Sequence, residues 1–124
     1  MSRSHSWSVD IEKKTIANKY WRNVLFTGKH LQVVVMSVPP REELDWEIHK
    51  DTDQFFRIEE GNGYVEIETA KNQVKRIKVK DGSAVVIPAG TWHNVINSSR
   101  SKALKFYTIY APPHHPRRRR NLHK

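Results

Sequence analysis

Apolar and polar residues alternate, or apolar residues form short unbroken runs, through most of the middle of the chain, and this pattern predicts β-strands. Val33–Val38 and Ala84–Ile87 are unbroken apolar runs rich in β-branched residues, which are typical of buried strands. Tyr64–Thr69 and Val74–Lys80 alternate instead, which favours strands with one buried face and one exposed face. The predicted strands are Val33–Val38, Phe55–Ile58, Tyr64–Thr69, Val74–Lys80, Ala84–Ile87, Asn94–Ile96 and Leu104–Tyr110.

Turn-forming residues separate these strands. Clusters of Gly, Pro, Asn, Asp and Ser lie at Pro39–Pro40, Glu59–Gly63, Lys71–Gln73, Asp81–Gly82, Pro88–Gly90 and Asn97–Ser101. Several short strands at close spacing predict an all-β sandwich or barrel. One short helix is predicted before the first strand, at Glu12–Asn18.

Length and composition restrict the possible classes of protein. The 124 residues suffice for one domain with one moderate core. Because the chain contains no cysteine, disulfide scaffolds, cysteine-ligated metal sites and cysteine nucleophiles are excluded. No apolar run approaches the roughly 20 residues that a membrane-spanning helix needs, and residues 1–10 lack the apolar stretch of a secretory signal. The expected location is therefore the cytoplasm, with no membrane partner.

The formal net charge of +9 is concentrated at the carboxyl-terminal end. Residues 112–124 contain five of the 22 basic residues, including Arg117–Arg120, and no acidic residue. Residues 1–111 therefore hold 17 basic and 13 acidic residues, a net charge of +4. Because consecutive arginines repel one another and stay solvated, residues 114–124 are expected to form a flexible basic tail. Such a tail can contact phosphates, but the rest of the chain shows no interleaved basic and aromatic motif that favours nucleic-acid binding.

Three of the seven histidines, His30, His49 and His93, lie within the predicted strand region. Glu47 and His49 are two residues apart, so on a strand they project to one face and can converge on one ion; the alternative is a solvent-exposed polar face. His93 follows the tight turn at Pro88–Gly90 and is a candidate preorganised ligand, or else a structural histidine bonded to the turn backbone. His30 precedes the first predicted strand, where a surface loop is the favoured interpretation.

Two spaced motifs resemble those of the cupin superfamily. Residues 82–97 match the second cupin motif, G-x5-P-x-G-x2-H-x3-N, at every defined position. The first motif reads G-x5-H-x-H-x3,4-E-x6-G, and here three of its five letters are altered. Its five positions fall on Arg41, Glu47, His49, Gln54 and Gly61. The resemblance implies a single double-stranded β-helix (a jelly-roll barrel) over about residues 22–113, preceded by an arm at 1–21 with the short helix and followed by the tail at 114–124.

A narrower resemblance is to small single-domain microbial cupins of the mannose-6-phosphate isomerase-like group. The similar strings are TGKHLQVVVMS (27–37), EIHKDTDQFFRIEEGNG (47–63), IPAGTWHNVIN (87–97) and LKFYTIYAPPHHP (104–116). The chain departs from that group at Arg41 and Asp45, where the group usually has glycine, and at Arg117–Arg120, which interrupt the usual tail.

The resemblance implies a metal held by Glu47, His49, Gln54 and His93. Two imidazoles, one carboxylate and one amide oxygen suit a divalent transition metal such as Fe, Mn, Ni, Co or Zn. The ion would keep open coordination positions and a net positive charge, which favours an anionic oxygen ligand. Asp53 fits a shorter motif spacing than Gln54 but should point to the other side of the strand. Two alternatives stay open: Gln54 orients metal-bound water rather than binding the ion, or the four residues form an empty polar pocket.

Strand parity assigns the aromatic and apolar residues near the proposed ligands. Phe56 and Ile58 share the parity of Gln54 and should line the barrel. Trp46 and Trp92 each precede a proposed ligand, so they should point the other way and act in packing. The last predicted strand offers two sets for the core or the cavity, which are Phe106 with Tyr110 and, on the opposite face, Tyr107.

Three functions fit these features. The first is a small metal-dependent cupin enzyme acting on a polar small molecule, in a sugar or sugar-phosphate isomerase version or a dioxygenase version. The second is a non-catalytic cupin that binds a metal or small ligand, since Gln54 is a weaker donor than a carboxylate. The third, binding of nucleic acid or an acidic partner, depends on Arg117–Arg120 alone. A homodimer is also expected, with the N-terminal segment adding a strand to a partner's sheet edge.

Overall fold

A computed structural model describes residues 6–124, which form one helix and nine strands, so positions 1–5 of the predicted arm lie outside the described residues. All seven predicted strands are present, and two further strands, the first and the last, have no counterpart among the predictions. In chain order the elements are α1 (Ile11–Ala17), β1 (Arg22–Thr27), β2 (Gln32–Val38), β3 (Asp53–Glu60), β4 (Asn62–Ala70), β5 (Gln73–Lys80), β6 (Ala84–Ile87), β7 (His93–Asn97), β8 (Leu104–Ala111) and β9 (Arg120–Asn121). Within residues 6–124 no helix has the length and apolar character needed to cross a membrane.

The short helix α1 begins at a side-chain cap. The carboxylate of Asp10 accepts a hydrogen bond from the backbone N–H of Lys13 at 3.1 Å, which satisfies one of the unpaired donors of the first turn. The hydroxyl of the buried Thr15 donates to the carbonyl of Ile11 at 2.6 Å. The helix ends at Ala17, one residue before the predicted end, and packs against β2, β3 and β8.

The strands form two antiparallel sheets that share one core. The larger sheet has the order β6-β3-β8-β2-β1-β9 and the smaller sheet the order β5-β4-β7. Alternation is clearest in β8, where Leu104, Phe106, Thr108 and Tyr110 are buried and the residues between them are not. The largest fully buried side chains are Phe56, Phe106, Met36, Ile58, Ile87 and Leu104. The prediction of an all-β protein with one short helix is therefore confirmed.

The strand β6 agrees with the prediction in its bounds but not in its environment. It lies at an edge of the larger sheet, and Val86 is 61% exposed while Val85 and Ile87 are buried. An unbroken apolar run does not distinguish the two faces of a strand, so it predicts burial on both even where one faces solvent.

The strand β1 has no clear signal in the sequence because its pattern is irregular. It begins with the charged Arg22, and a bulge between Val24 and Phe26 shifts its register against β2. Trp7 stacks on Phe26 with ring centroids 5.5 Å apart. Trp7 and Val9 also line one shallow depression on the surface of this sheet. The described part of the N-terminal arm therefore lies against the protein's own sheet.

The structure differs from the prediction of a flexible tail at residues 114–124. The strand β9 pairs with β1, where Asn121 lies opposite Arg22, and the backbone N–H of Val24 donates to the carbonyl of Arg119 at 2.9 Å. Side chains 117–120 are exposed, as the charge pattern predicts. Backbone pairing at a sheet edge needs no apolar side chains, which is why the composition of the tail does not reveal it.

Candidate metal centre

Glu47 and His93 are direct cross-strand neighbours. The backbone N–H of Glu47 donates to the carbonyl of His93 at 2.8 Å, and the N–H of His93 donates to the carbonyl of Glu47 at 3.0 Å. His93 is 3% exposed and begins β7, whereas Glu47 forms a single bridge outside the named strands. Residues paired in this way present their side chains to the same face, with Cβ atoms about 4.5–5.5 Å apart. The two side chains therefore enter the same space.

The turn at Pro88–Gly90 fastens His49 beside His93. Gly90 has a φ of +81°, a left-handed conformation that glycine adopts without steric cost, and its N–H donates to the carbonyl of His49 at 2.8 Å. The N–H of Ala89 donates to the carboxylate of Asp53 at 2.8 Å, which ties the same turn to β3. The turn is thus joined to both segments that supply the other predicted ligands.

His93 is held in one tautomer. Its Nδ1 lies 3.0 Å from the carbonyl of Thr91. Because a carbonyl only accepts, Nδ1 bears the proton and Nε2 keeps its lone pair. A hydrogen bond of this kind orients metal-binding histidines in many proteins. The structural bond to the turn that was one interpretation of His93 is present, and it leaves the other nitrogen available.

The imidazole of His49 is 7% exposed and lies among the other polar groups. Its Nε2 is 3.8 Å from a carboxylate oxygen of Glu47. Its ring centroid is 5.3 Å from that of His93 and 5.6 Å from that of Tyr110. Its Nδ1 is buried without a hydrogen-bond partner. The structure therefore brings Glu47, His49 and His93 together.

Gln54 enters the interior from β3. It lies opposite Tyr110 of β8 and is 4% exposed, whereas Asp53 is exposed on the other face. Its Nε2 donates to the hydroxyl of Thr108 at 3.0 Å, and its amide oxygen Oε1 is buried without a partner. Leaving such an acceptor unsatisfied costs about 1–3 kcal/mol, which a ligand to that oxygen would recover. The structure thus places Gln54, and not Asp53, on the interior side.

The side chains predicted to line the barrel are part of its core. Tyr107, of opposite parity, is half-buried and contacts Phe55, with ring centroids 6.2 Å apart. His30 is exposed in a loop. The four inward residues are buried, and they are Phe56, Ile58, Phe106 and Tyr110.

Trp46 and Trp92 point away from the interior, as strand parity predicts. Each is 41% exposed, however, and together with Glu68 and Val74 they line a shallow depression on the surface. Within residues 6–124, each tryptophan is therefore covered only in part, so its predicted packing role stays a prediction.

His114 and His115 lie at the site, although the sequence analysis assigned both to a solvated tail. Their backbone N–H groups donate to Oε1 of Gln32 at 3.1 and 2.9 Å, and Nε2 of Gln32 donates to the carbonyl of His115 at 2.8 Å. The ring of His114 lies 4.2 Å from that of His49 and 5.4 Å from that of Tyr110, centroid to centroid. No periodic pattern links Gln32 to residues about 80 positions away, so these contacts had no signal in the sequence.

Arg22 is a second kind of group that sequence analysis missed. In the pairing of β1 with β2, Arg22 lies directly opposite Met36, a member of the buried core. Because residues directly opposite each other share a face, the side chain of Arg22 projects to the interior side of the sheet. Because the pattern of β1 is irregular, the sequence does not show which face of the strand this arginine occupies.

Burial determines the protonation of the histidines. Desolvation by burial, followed by the charges of His114, His93 and Arg22, lowers the pKa of His49 to about 4. Burial is also the largest cause that lowers the pKa of His93, and it lowers that of His115 to about 3. His114 keeps a solvent-exposed surface, and its partial desolvation lowers its pKa in the same direction. These imidazoles are therefore neutral at pH 7, which is the form that binds metals.

The pKa values of the acidic groups of the site are raised rather than lowered. Burial raises the pKa of the Glu47 carboxyl, and the positive charge of Arg22 opposes that rise. Burial also raises the pKa of Tyr110, with a further contribution from the charge of Glu47. The phenol of Tyr110 consequently stays protonated at neutral pH and can donate a hydrogen bond.

The last letter of the second motif has a structural role. Asn97 is 1% exposed, and its amide donates to the carbonyls of Val38, Pro39 and Lys102 at 2.9, 3.1 and 2.8 Å. The bonds hold two loops against the end of β7. Asn97 is therefore not a candidate ligand.

Comparison with known protein families gives this architecture a name. The model of the Cupin domain matches residues 34–110, which is more than half of the chain. The chain is a cupin. It is 42% identical in sequence to BH2720 of Bacillus halodurans, whose crystal structure superposes with a TM-score of 0.92 and covers 96% of this cupin and 90% of that chain.

Two curated proteins are also similar to this cupin. "Uncharacterized protein YrkC" of Bacillus subtilis (strain 168) is 49% identical over 109 residues, covering 87% of this cupin and 58% of YrkC. Acireductone dioxygenase 1 of Sorghum bicolor is 33% identical over 78 residues, covering 56% of this cupin and 43% of that protein. The cupin therefore spans only about half the length of these two relatives.

The donor atoms of this cupin fit a divalent metal in their chemistry. Within residues 6–124, no three His, Asp or Glu side chains form a complete ligand cluster as they stand. Nε2 of His93 and Oε1 of Gln54 nevertheless have no hydrogen-bond partner. A carboxylate oxygen of Glu47 lies 3.8 Å from His49, a contact that an ion between the two side chains would replace. Nitrogen and oxygen donors of this kind suit a first-row divalent ion.

The lowered pKa of His49 makes the stability of the metal-free protein depend on pH. A histidine whose pKa falls from 6.5 to about 4 on folding takes up its proton earlier in the unfolded chain. Its stabilising contribution is complete above pH 6.5 and is lost as the pH falls toward 4. The raised pKa of Glu47 acts in the opposite direction. We therefore expect His49→Gln to flatten the fall in unfolding free energy across this window, as measured by urea unfolding.

The matched control for this pH profile is His30→Gln, which changes an exposed loop histidine. It should keep the wild-type profile. A profile equally steep in wild type and His49→Gln would show that His49 is not held neutral by the fold.

Proposed function

We propose that this cupin binds a divalent transition metal through Glu47, His49, Gln54 and His93 and acts on a polar small molecule there. The main support is the set of unpartnered donors. Oε1 of Gln54 is buried without a partner, and the hydrogen bond from His93 to Thr91 leaves Nε2 of His93 available. Nε2 of His49 faces a carboxylate oxygen of Glu47 at 3.8 Å. The metals that suit this set are Fe, Mn, Ni, Co and Zn.

When bound, the metal would act as a Lewis acid on a substrate oxygen. The phenol of Tyr110, kept protonated by burial, is suited to donate a hydrogen bond to an oxygen that gains negative charge. His114 lies outside the four proposed ligands, is neutral at pH 7 and stands 4.2 Å from the ring of His49, so it is the candidate to accept a proton. These groups support an isomerase-like reaction with a sugar or sugar phosphate as substrate.

A dioxygenase is the second candidate function. Two histidines and one carboxylate are the composition of non-haem iron oxygenase sites, and the match to acireductone dioxygenase 1 favours this version. The third candidate is a cupin that binds a metal or small ligand without turnover. It is favoured by Gln54, because an amide oxygen binds a divalent ion more weakly than a carboxylate does.

The homodimer and the cytoplasmic location stay predictions. Residues 7–9 lie against the protein's own sheet, and β9 already pairs with β1, so a partner strand would need another sheet edge. The elution volume in size-exclusion chromatography distinguishes a dimer from a monomer.

Cobalt titration tests the proposed function. Co2+ develops visible absorption bands when protein nitrogen and oxygen ligands replace its water, so binding is followed directly. We expect about one Co2+ per chain in the wild type. Affinity should rise about tenfold in Gln54→Glu and fall about tenfold in Gln54→Leu, which is of similar size but has no donor.

The control for these variants is Gln73→Glu, which makes the same chemical change at an exposed position of β5. It should bind Co2+ as the wild type does. Absence of cobalt bands in the wild type would contradict the proposed function. Equal affinities of wild type, Gln54→Glu and Gln54→Leu would remove Gln54 from the ligand set.

A further inference from the structure

Arg22 differs from the other arginines for which the structure shows contacts at the barrel. Arg57 pairs with Glu59, and Arg76 lies 3.8 Å from a carboxylate oxygen of Glu66. Within residues 6–124, Arg22 forms no ion pair, and its Nε is buried without a hydrogen-bond partner. A charged donor that is buried unpaired is unfavourable, so such a group in a folded protein requires an explanation.

The position of Arg22 gives that explanation. It lies opposite Met36 on the interior side of β1. The ring centroid of the preceding residue, Trp21, lies 5.8 Å from Nζ of Lys124, which pairs with Asp45 two residues before Glu47. In keeping with this position, the charge of Arg22 acts on five side chains of the candidate metal centre. The five are Glu47, His49, Tyr110, His114 and His115. Glu47 is the single carboxylate among them, and it is a proposed metal ligand.

The tail and its ion-pair partner bring charges of both signs near the same residues. Nζ of Lys124 lies 2.5 Å from a carboxylate oxygen of Asp45, and at Glu47 the negative charge of Asp45 outweighs the positive charge of Lys124. The charge of Arg119 acts on His115. The tail therefore does not replace Arg22 as the source of positive charge beside Glu47.

We infer that Arg22 anchors a small oxyanion, a carboxylate or a phosphate group, of the molecule that this cupin binds. The planar guanidinium presents its N–H donors as a fork that matches two oxygens of either group. Nε2 of His115, whose ring lies 5.1 Å from that of Tyr110, is buried without a partner and is available for a further hydrogen bond. The inference rests on the proposed function only for the second contact of the substrate, which is made at the metal. The contact with Arg22 does not require the metal.

Calorimetric titration with inorganic phosphate and, separately, acetate tests this inference. The full chain is used both metal-free and loaded with Co2+, at pH 7 and constant ionic strength set with chloride. We expect one or both anions to bind the wild type and to bind Arg22→Gln at least about tenfold more weakly. Arg22→Lys should be intermediate, because it keeps the charge and loses the fork. The anion that binds more tightly identifies the group as phosphate or carboxylate.

The matched control is Arg100→Gln, which removes one positive charge from an exposed position in the loop between β7 and β8. It should bind the anions as the wild type does, which separates a specific contact from net charge. Circular dichroism establishes whether each variant is folded. If Arg22→Gln does not fold, Arg22→Lys still tests the inference. Binding unchanged in the folded Arg22 variants, or no binding of either anion to either wild-type form, would overturn the inference.

The cobalt titration separates this inference from the proposed function. If Arg22→Gln takes up Co2+ normally but loses the anion, both hold. If the wild type takes up no Co2+ yet binds an anion through Arg22, the proposed function fails and the inference stands. If Co2+ binds and the Arg22 variants bind the anion as the wild type does, the inference alone fails.

Discussion

At the proposed metal site, we expect replacement of His93 by alanine to lower the affinity for Co2+ or Mn2+ by at least about 100-fold. The substitution removes a nitrogen donor whose direction is set by the 3.0 Å contact between Nδ1 and the carbonyl of Thr91. Removing such an orienting contact alone typically costs about 10–100-fold in affinity, so removing the ligand itself should cost more. The backbone pairing with Glu47 does not depend on the side chain and should persist. Competition with a chromogenic chelator at pH 7 measures the change.

His30→Ala is the control for this prediction, because it removes an exposed histidine outside the site. Since His93 is 3% exposed, its removal also leaves a cavity, and His93→Gln is the second variant that keeps most of the volume. Wild-type metal affinity in either folded His93 variant would exclude His93 from the ligand set.

Replacing Phe56 by alanine lowers the free energy of unfolding by about 3–5 kcal/mol. Phe56 is fully buried, and its ring centroid lies 5.5 Å from that of Phe106 at the centre of the core. The loss combines the transfer free energy of the ring with the cavity it leaves. Phe56 also shares the inward face of β3 with Gln54, so the variant should bind metal more weakly. Urea unfolding at pH 7 measures the stability.

The adjacent residue provides a control of identical chemistry. Phe55 points to the other face of β3, is half-buried and contacts Tyr107. Phe55→Ala should cost about half as much as Phe56→Ala or less, and should leave metal binding unchanged. Equal losses of stability from the two variants would contradict the inward and outward assignment of this strand.

Alternation of side chains predicts most of this fold and the direction of most of its residues. All seven strands expected from apolar patterning are present, and Gln54, Phe56 and Ile58 face the interior as their shared parity requires. This succeeds because the period of a strand is two, so one buried residue fixes the side of its neighbours. The rule does not say whether the outer face is covered, which is why the exposure of Val86 and Trp92 was not foreseen.

The residues that complete the candidate site depend on contacts between distant segments. Arg22 is charged and begins a strand with a bulge, so periodicity gives it no face. His114 is placed by backbone hydrogen bonds to the side chain of Gln32, and β9 by backbone pairing to β1. Neither interaction leaves a pattern in the local sequence, because both use main-chain groups that every residue has.

The first cupin motif shows how altered letters are accommodated. Arg41 stands where the motif begins with glycine and has a φ of 65°, and Asp45 has a φ of 77°. Both keep the left-handed backbone that favours glycine, so the loop conformation is preserved at the cost of steric strain. The altered ligand letters, Glu47 and Gln54, likewise keep their positions facing the histidines and the interior. The sequence could show that the motif was altered, but not that its backbone was retained.

The proposed function requires that Glu47, His49, Gln54 and His93 hold a metal. The most direct test is elemental analysis by mass spectrometry of protein purified without a tag or chelating column, beside the His49→Ala/His93→Ala double variant. The proposal predicts near-stoichiometric Fe, Mn, Ni, Co or Zn in the wild type and its loss in the double variant. Absence of metal from the wild type, even after reconstitution with each of these ions, would contradict it.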